Sequence, residues 1–237
     1  MNFLTEEKEN KSFLKYRENI SILKKDIEDV CKNSGRSPDD IIVIAATKYV
    51  GPEGVAIVHK LGINDFGENR SDELLKKKKF LFGDSKWHFI GHLQSRKAKI
   101  VVPLVEYIHS IDSLKTMEKV GKEAKKINKV QKVLMEVNIS GEQTKYGLGR
   151  DQVSSFISDS SRIKNINMKG FMAMAPYTDD TEYIRKIFKS LRLLREEMSG
   201  QYGGLDLSEL SMGMSNDFRI AIEEGATMIR IGSNIFN

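Results

Sequence analysis

Groups able to do chemistry recur in this sequence directly after short apolar runs. In α/β proteins that position is the C-terminal end of a strand, where sites are built. Lys48 follows the run Ile41-Ile-Val-Ile-Ala-Ala46, and Glu68-Asn69-Arg70 follow Asp65-Phe66. His92, with Gln94 and Ser95, follows Trp87–Ile90, and Asp112 follows Tyr107–Ser110. Asn138 falls near the end of the run Lys132–Ile139, Lys145-Tyr146-Gly147 lie beyond it, and Met174-Ala-Pro176 come after Met168–Met172. Two late segments stand out: Ser211-Met-Gly-Met-Ser-Asn216, which leads into a helical stretch ending at Glu224, and Arg230-Ile-Gly-Ser-Asn234. Gly213 and Gly232 would let a ligand approach the backbone, and Ser215 and Ser233 would add hydroxyl donors, a combination suited to a phosphate dianion. Taken singly, each segment also reads as an ordinary Gly- and Ser-containing turn.

Lys48 has two readings. A lysine at a strand end can carry its charge out to solvent. One held beside apolar walls loses its proton more easily and becomes a nucleophile toward an aldehyde. Two phosphate-type loops at the same barrel face favour the second reading. An aldehyde with its own phosphate handle is pyridoxal phosphate.

The elements that would position these residues alternate along the chain. Residues 12–34 form an opening helix with Phe13, Tyr16, Ile20, Leu23, Ile27 and Val30 on one face, and Gly35 stops it. Beyond it come Ile41–Ala46, Asp65-Phe66, Trp87–Ile90, Tyr107–Ser110, Lys132–Ile139, Met168–Met172, Glu209–Ser211 and Met228–Ile231, eight candidate strands separated by amphipathic stretches such as Glu53–Leu61. With no Pro- or Gly-rich linker, the pattern predicts an α/β fold of one domain over residues 1–237, a single (β/α)8 TIM barrel preceded by the N-terminal helix. A doubly wound open sheet is the alternative.

Composition restricts the partners. Hydrophobic residues at 40% and charged residues at 30% suit a globular chain. The net charge of +5 admits anionic ligands, but Lys76-Lys77-Lys78-Lys79 and the helix around Lys122, Lys125, Lys126 and Lys129 read as solvated faces without interleaved aromatics, which argues against nucleic acid. The single Cys31 precludes an internal disulfide and a multi-cysteine metal site, as expected of a cytoplasmic protein. Met1–Lys11 is too polar for a signal peptide and no run is long enough to span a bilayer, so no membrane partner is expected.

Several motifs, in order, resemble the pyridoxal phosphate homeostasis protein family. They are Ala45-Ala-Thr-Lys48, Phe66-Gly-Glu-Asn69, Trp87-His-Phe-Ile-Gly-His-Leu-Gln-Ser95, Val137-Asn-Ile-Ser140, Gly170-Phe-Met-Ala-Met174, Ser211-Met-Gly-Met-Ser215 and Met228-Ile-Arg-Ile-Gly-Ser233. The resemblance spans nearly the whole chain and implies a barrel similar to the N-terminal domain of alanine racemase, with pyridoxal 5'-phosphate as cofactor. It further implies Lys48 as the Schiff-base lysine, Ser215, Gly232 and Ser233 as phosphate ligands, Arg230 as partner of the pyridine nitrogen, and Asn69 near the cofactor. It assigns no catalytic residue and no metal ligand. Met212 and Met214 are expected to pack the barrel mouth, and His88 and His92 to be structural. The sequence departs from the family pattern in the spacing from Lys48 to Pro52, in Arg70 where tyrosine is common, in serine for threonine at Ser233, and in ending at Asn237.

The resemblance implies a carrier, buffer or regulator of the cofactor, with apo-forms of pyridoxal phosphate enzymes as possible recipients and a monomer rather than an obligate dimer. An amino-acid racemase is the alternative. A guanidinium at the ring nitrogen weakens the cofactor as an electron sink. Racemisation also needs acid/base groups on both faces of the substrate carbon, and racemases of this fold take the second from another domain, whereas this sequence ends with its barrel. Tyr146 and Tyr177 are loop candidates for that role and read first as surface residues.

Overall fold

The computed structural model describes residues 3–81, 83–142 and 144–237; Met1 and Asn2, the start of the polar N-terminal stretch, lie outside the described residues. Eight parallel strands close into a barrel in sequential order, the first pairing with the last. The elements are α1 (Phe3–Ser34), β1 (Ile42–Ala46), α2 (Pro52–Lys60), β2 (Asp65–Glu68), α3 (Ser71–Phe80), β3 (Lys86–Phe89), α4 (Ala98–Val101) and β4 (Tyr107–Ile111). They continue with α5 (Leu114–Lys126), β5 (Gln131–Glu136), α6 (Val153–Ser160), β6 (Ile166–Met172), α7 (Thr181–Gln201), β7 (Glu209–Met214), α8 (Phe218–Glu223), β8 (Met228–Ile231) and α9 (Ser233–Phe236). The closed barrel agrees with the expected fold and replaces the open-sheet alternative.

Boundaries differ in two informative places. Helix α1 begins nine residues before the expected start, because Glu6, Glu7, Lys8 and Glu9 are good helix formers although they carry no apolar stripe. It ends as predicted: Gly35 takes a left-handed φ of 68°, and the Arg36 N–H reaches back to the Cys31 carbonyl at 2.9 Å. Strand β5 stops at Glu136 rather than Ile139, since Val137 already pairs with Leu148 of the following loop.

Period-two alternation divides the strands into an outward and an inward face. Outward residues such as Phe66, Trp87, Ile108, Leu210 and Ile229 join the main core beneath the helices. Inward residues Ile44, Tyr107, Leu134, Met172 and Met228 form a smaller apolar cluster inside the barrel. The same inward parity on β2, β3, β4, β7 and β8 brings in Asp65, His88, His109, Ser211 and Arg230. The barrel interior is therefore partly polar. Helix α1 lies against the last elements, with Asn19 donating to the Ile235 and Asn237 carbonyls at 3.0 and 2.9 Å.

Candidate functional site

A cavity of about 890 Å³ opens at the C-terminal ends of β1, β2, β7 and β8. Lys48, Asn69, Ser215, Arg230, Gly232 and Ser233, the six residues singled out from the sequence, all line it. So do Tyr16 of α1 and Phe236 of α9, which meet edge to face at 5.4 Å, together with Tyr49, Met174 and Tyr177. The contribution of α1 was not foreseen.

Lys48 sits in the turn after β1, closed by the Val50 N–H on the Thr47 carbonyl at 2.9 Å. It is exposed rather than walled by apolar groups, and its ammonium lies 5.0 Å from the Tyr49 ring. No salt bridge holds it among the described residues. The residue before it is fixed. Buried Glu68 accepts from the Thr47 hydroxyl at 2.9 Å and from the Lys77 ammonium at 2.5 Å on one oxygen, and from the Asn69 and Arg70 N–H groups at 2.7 and 3.2 Å on the other. Lys77 also donates to the Thr47 carbonyl at 2.7 Å. Lys77 thus departs from the solvated-face reading of the lysine run: it lies three residues after Leu74 on the buried side of α3. Lys129 departs too, donating to the Val102 carbonyl at 2.8 Å, whereas Lys122, Lys125 and Lys126 are exposed as expected.

Across from this cluster, the Ser215 hydroxyl oxygen accepts from the Gly232 N–H at 3.2 Å and the Asn234 N–H at 3.5 Å. Two backbone donors and a hydroxyl therefore converge at one point. A Cβ added at Gly232 would make only ordinary contacts, with the Ala46 carbonyl at 3.6 Å and the Ala46 Cβ at 3.7 Å, and the glycine lines the cavity. Backbone N–H groups and a hydroxyl in such a loop are suited to an anionic group. Gly213 is different. Its φ is 95° and a Cβ there would stand 2.6 Å from the Ala221 Cβ, so it serves the packing of β7 on α8 and does not line the cavity.

Arg230 is buried, donating to the Ser211 hydroxyl at 2.6 Å and the Ala173 carbonyl at 3.1 Å. Burial lowers its pKa to about 10, against the opposing pull of Asp217 and Glu136, so it remains a cation at neutral pH. Glu136, at the inward end of β5, is pushed up to about 7 by burial and by Asp112, with Arg230 pulling the other way. Neither Glu136 nor Asp217 was singled out from sequence. His88 is buried among hydrogen-bonding groups, and His92 stacks on the exposed Tyr146 with ring centroids 4.0 Å apart. Met212 is buried and Met214 lines the cavity. Arg70 turns away, pairing with Asp72 at 2.8 Å, and does not alter the cavity wall. Tyr177 is almost fully exposed.

A lysine after the first strand, with a phosphate-type cradle beside it on the eighth, defines a class of β/α barrel, and comparison with known proteins places the chain in it. The family model for the alanine racemase N-terminal domain matches residues 32–237. Within that class the chain belongs to the pyridoxal phosphate homeostasis protein family. It is 39% identical over 220 residues to the protein of that name from Aquifex aeolicus, covering 92% of this chain and 96% of the relative. The Pseudomonas aeruginosa protein of the same name is 32% identical, over 92% of this chain and 94% of its own. Among solved structures, PipY of Synechococcus elongatus PCC7942 with pyridoxal phosphate bound superimposes with a TM-score of 0.80 at 29% identity, covering 90% of this chain and 100% of that one. Alanine racemase of Clostridium difficile 630 shares the fold at a TM-score of 0.76 and 14% identity, matching 93% of this chain but 56% of the racemase chain.

Proposed function

We propose that this protein holds pyridoxal 5'-phosphate covalently through Lys48, for intracellular storage, delivery or regulation of the cofactor, without turning over amino acids. One observation carries the reading: the lysine, the Ser215–Gly232 cradle and Arg230 converge on one cavity at the carboxyl face of the barrel. Relatives covering nearly the whole chain bear the homeostasis name, and PipY binds this cofactor. Bound there, the cofactor supplies an aldehyde for a lysine amine and a phosphate handle.

The residues divide the work. Lys48, held by no ion pair among the described residues, is available to the aldehyde, while the buried Thr47–Glu68–Lys77 cluster fixes the backbone that presents it. Ser215, Gly232 and Ser233 would hold the phosphate, and Asn69 would border the ring. Arg230 would face the pyridine nitrogen as a cation at neutral pH, which would disfavour protonation of that nitrogen and weaken electron withdrawal from a bound amino acid. Tyr49 and Tyr177 stand exposed at the cavity edge, leaving it open for release. Apo-forms of pyridoxal phosphate enzymes are the proposed recipients, and a monomer in the reducing cytoplasm the proposed form. Among the described residues no helix is long and apolar enough to cross a membrane.

The test is a panel of amino acids incubated with the cofactor-loaded protein in deuterium oxide. The expected result is no inversion at about one per second or faster, the ordinary range of enzymes. Inversion with α-deuteration at such rates would establish the racemase alternative.

A further inference from the structure

A continuous line of hydrogen bonds crosses the barrel interior and ends on Arg230. The Arg230 guanidinium contacts the Ser211 Oγ at 2.6 Å, Ser211 Oγ contacts His109 Nδ1 at 2.8 Å, His109 Nε2 contacts His88 Nδ1 at 2.9 Å, and His88 Nε2 contacts Asp65 Oδ1 at 3.0 Å. Ser211, His88 and His109 are essentially inaccessible to water. Asp65 lies at the opposite rim, on a separate cavity of about 490 Å³. The line therefore joins the cofactor cavity to the far end of the barrel.

The chemistry of its ends dictates the direction of every proton in it. A guanidinium only donates, so the Ser211 oxygen accepts from Arg230 and its own hydrogen goes on to His109 Nδ1. An ionised carboxylate only accepts, so His88 carries its proton on Nε2 and accepts at Nδ1 from His109 Nε2–H. Both imidazoles are then neutral Nε2–H tautomers and no group in the line is left unpaired. The alternative polarity fails. With His109 protonated on Nδ1, the Ser211 oxygen would receive two donors and its hydrogen would have no recorded acceptor inside the core, which is costly. Burial, with the nearby His88 and Arg230, also holds the His109 pKa well below that of a free imidazole. The charged and titratable groups around the line are Tyr107, stacked on His88 with ring centroids 5.2 Å apart, Glu106 near His88, Lys132 over the Tyr107 ring, Glu209 and Asp206 on the Tyr107 side, and, near Arg230, Glu136 and Asp217.

We propose that Ser211, His109 and His88 are positioning residues, a one-directional chain anchored on Asp65 that locks the Arg230 guanidinium in place facing the cofactor's ring nitrogen. The inference rests on the reading that Arg230 faces that nitrogen. Its physical content is orientation. An arginine side chain has several rotamers, and a hydroxyl that must accept from it, because its hydrogen is committed to His109, selects one.

Two measurements test it. Nitrogen-15 NMR of histidine-labelled apoprotein at neutral pH should show His88 and His109 as neutral Nε2–H tautomers; an Nδ1–H tautomer or an imidazolium at His109 overturns the proposal. In the second, Ser211→Ala and His109→Phe are compared with Arg230→Gln for pyridoxal phosphate affinity and for the pH profile of the bound cofactor's absorbance. The expected result is affinity about tenfold weaker for Ser211→Ala, with a pH profile moved toward that of Arg230→Gln, while borohydride still fixes the pyridoxyl group on Lys48. Ser211→Ala indistinguishable from the parent protein, beside an altered Arg230→Gln, overturns it. If Arg230→Gln itself changes nothing although the tautomers are as stated, the failure lies in the reading of Arg230, and the positioning role falls with it.

Discussion

Two buried polar systems support the same cavity in opposite ways. The Thr47–Glu68–Lys77 cluster is a compact ion pair in which both carboxylate oxygens accept two hydrogen bonds each and the ammonium donates to Glu68 and to the Thr47 carbonyl. The line from Asp65 to Arg230 is extended, and its middle members are neutral. A compact ion pair bonded to the Thr47 carbonyl and the Asn69 and Arg70 N–H groups fixes backbone. A line of neutral donors and acceptors fixes a side chain through proton direction, and it depends on each member keeping its tautomer. The lysine proposed to hold the cofactor is accordingly not the buried, paired Lys77 but the exposed Lys48, which makes no salt bridge among the described residues.

The largest effect that would break this comparison is at Lys77. Replacing it by methionine leaves the Glu68 carboxylate buried without its counter-charge, and the expected loss is about 3–5 kcal/mol of stability, read from urea unfolding. A loss below about 1 kcal/mol would mean that the pair is solvated and does not brace Thr47.

Glu136 sharpens the contrast, being a buried carboxyl for which no ion-pair partner is present among the described residues. Its folded pKa of about 7 lies above the ordinary 4.5, so the native state binds the extra proton between those values. The associated stability is full below pH 4.5 and is lost as pH rises through 7, by roughly 3 kcal/mol at 1.36 kcal/mol per unit. Glu136→Gln should therefore flatten the fall in unfolding midpoint between pH 5 and 8. An unchanged slope would place the titration elsewhere.

The smallest effect concerns the cradle. Gly232→Val places a branched side chain on the cavity wall, and it should weaken pyridoxal phosphate about tenfold, or roughly 1.4 kcal/mol, while scarcely affecting unphosphorylated pyridoxal. Equal losses for the two ligands would remove the phosphate from that loop.

Much of this was legible in the residues. The barrel follows from eight apolar runs of strand length, and five of the six proposed cofactor residues fall after such runs or in the two Gly- and Ser-bearing loops, where backbone geometry follows local sequence, while Arg230 interrupts the last run itself. What was hidden depends on side chains meeting across the barrel. Lys77 sat in a run of four lysines, and only its spacing from Leu74 marks it as facing inward. His109 and Ser211 alternate with Ile108 and Leu210 on buried strands, a parity that flags inward polar residues but does not tell which strands bring them together. Closure of the barrel supplies that information. The start of α1 was missed because its first turns carry helix propensity without an apolar face.

The central claim is that Lys48, and not a neighbouring lysine, carries the cofactor. The most direct measurement is borohydride reduction of the cofactor-loaded protein followed by peptide mapping of the pyridoxyl group. The account predicts a single labelled site at Lys48, with Lys48→Ala unlabelled and lacking the bound cofactor's absorbance. A stoichiometric label on Lys77 or Lys145 in the unmutated protein would contradict it.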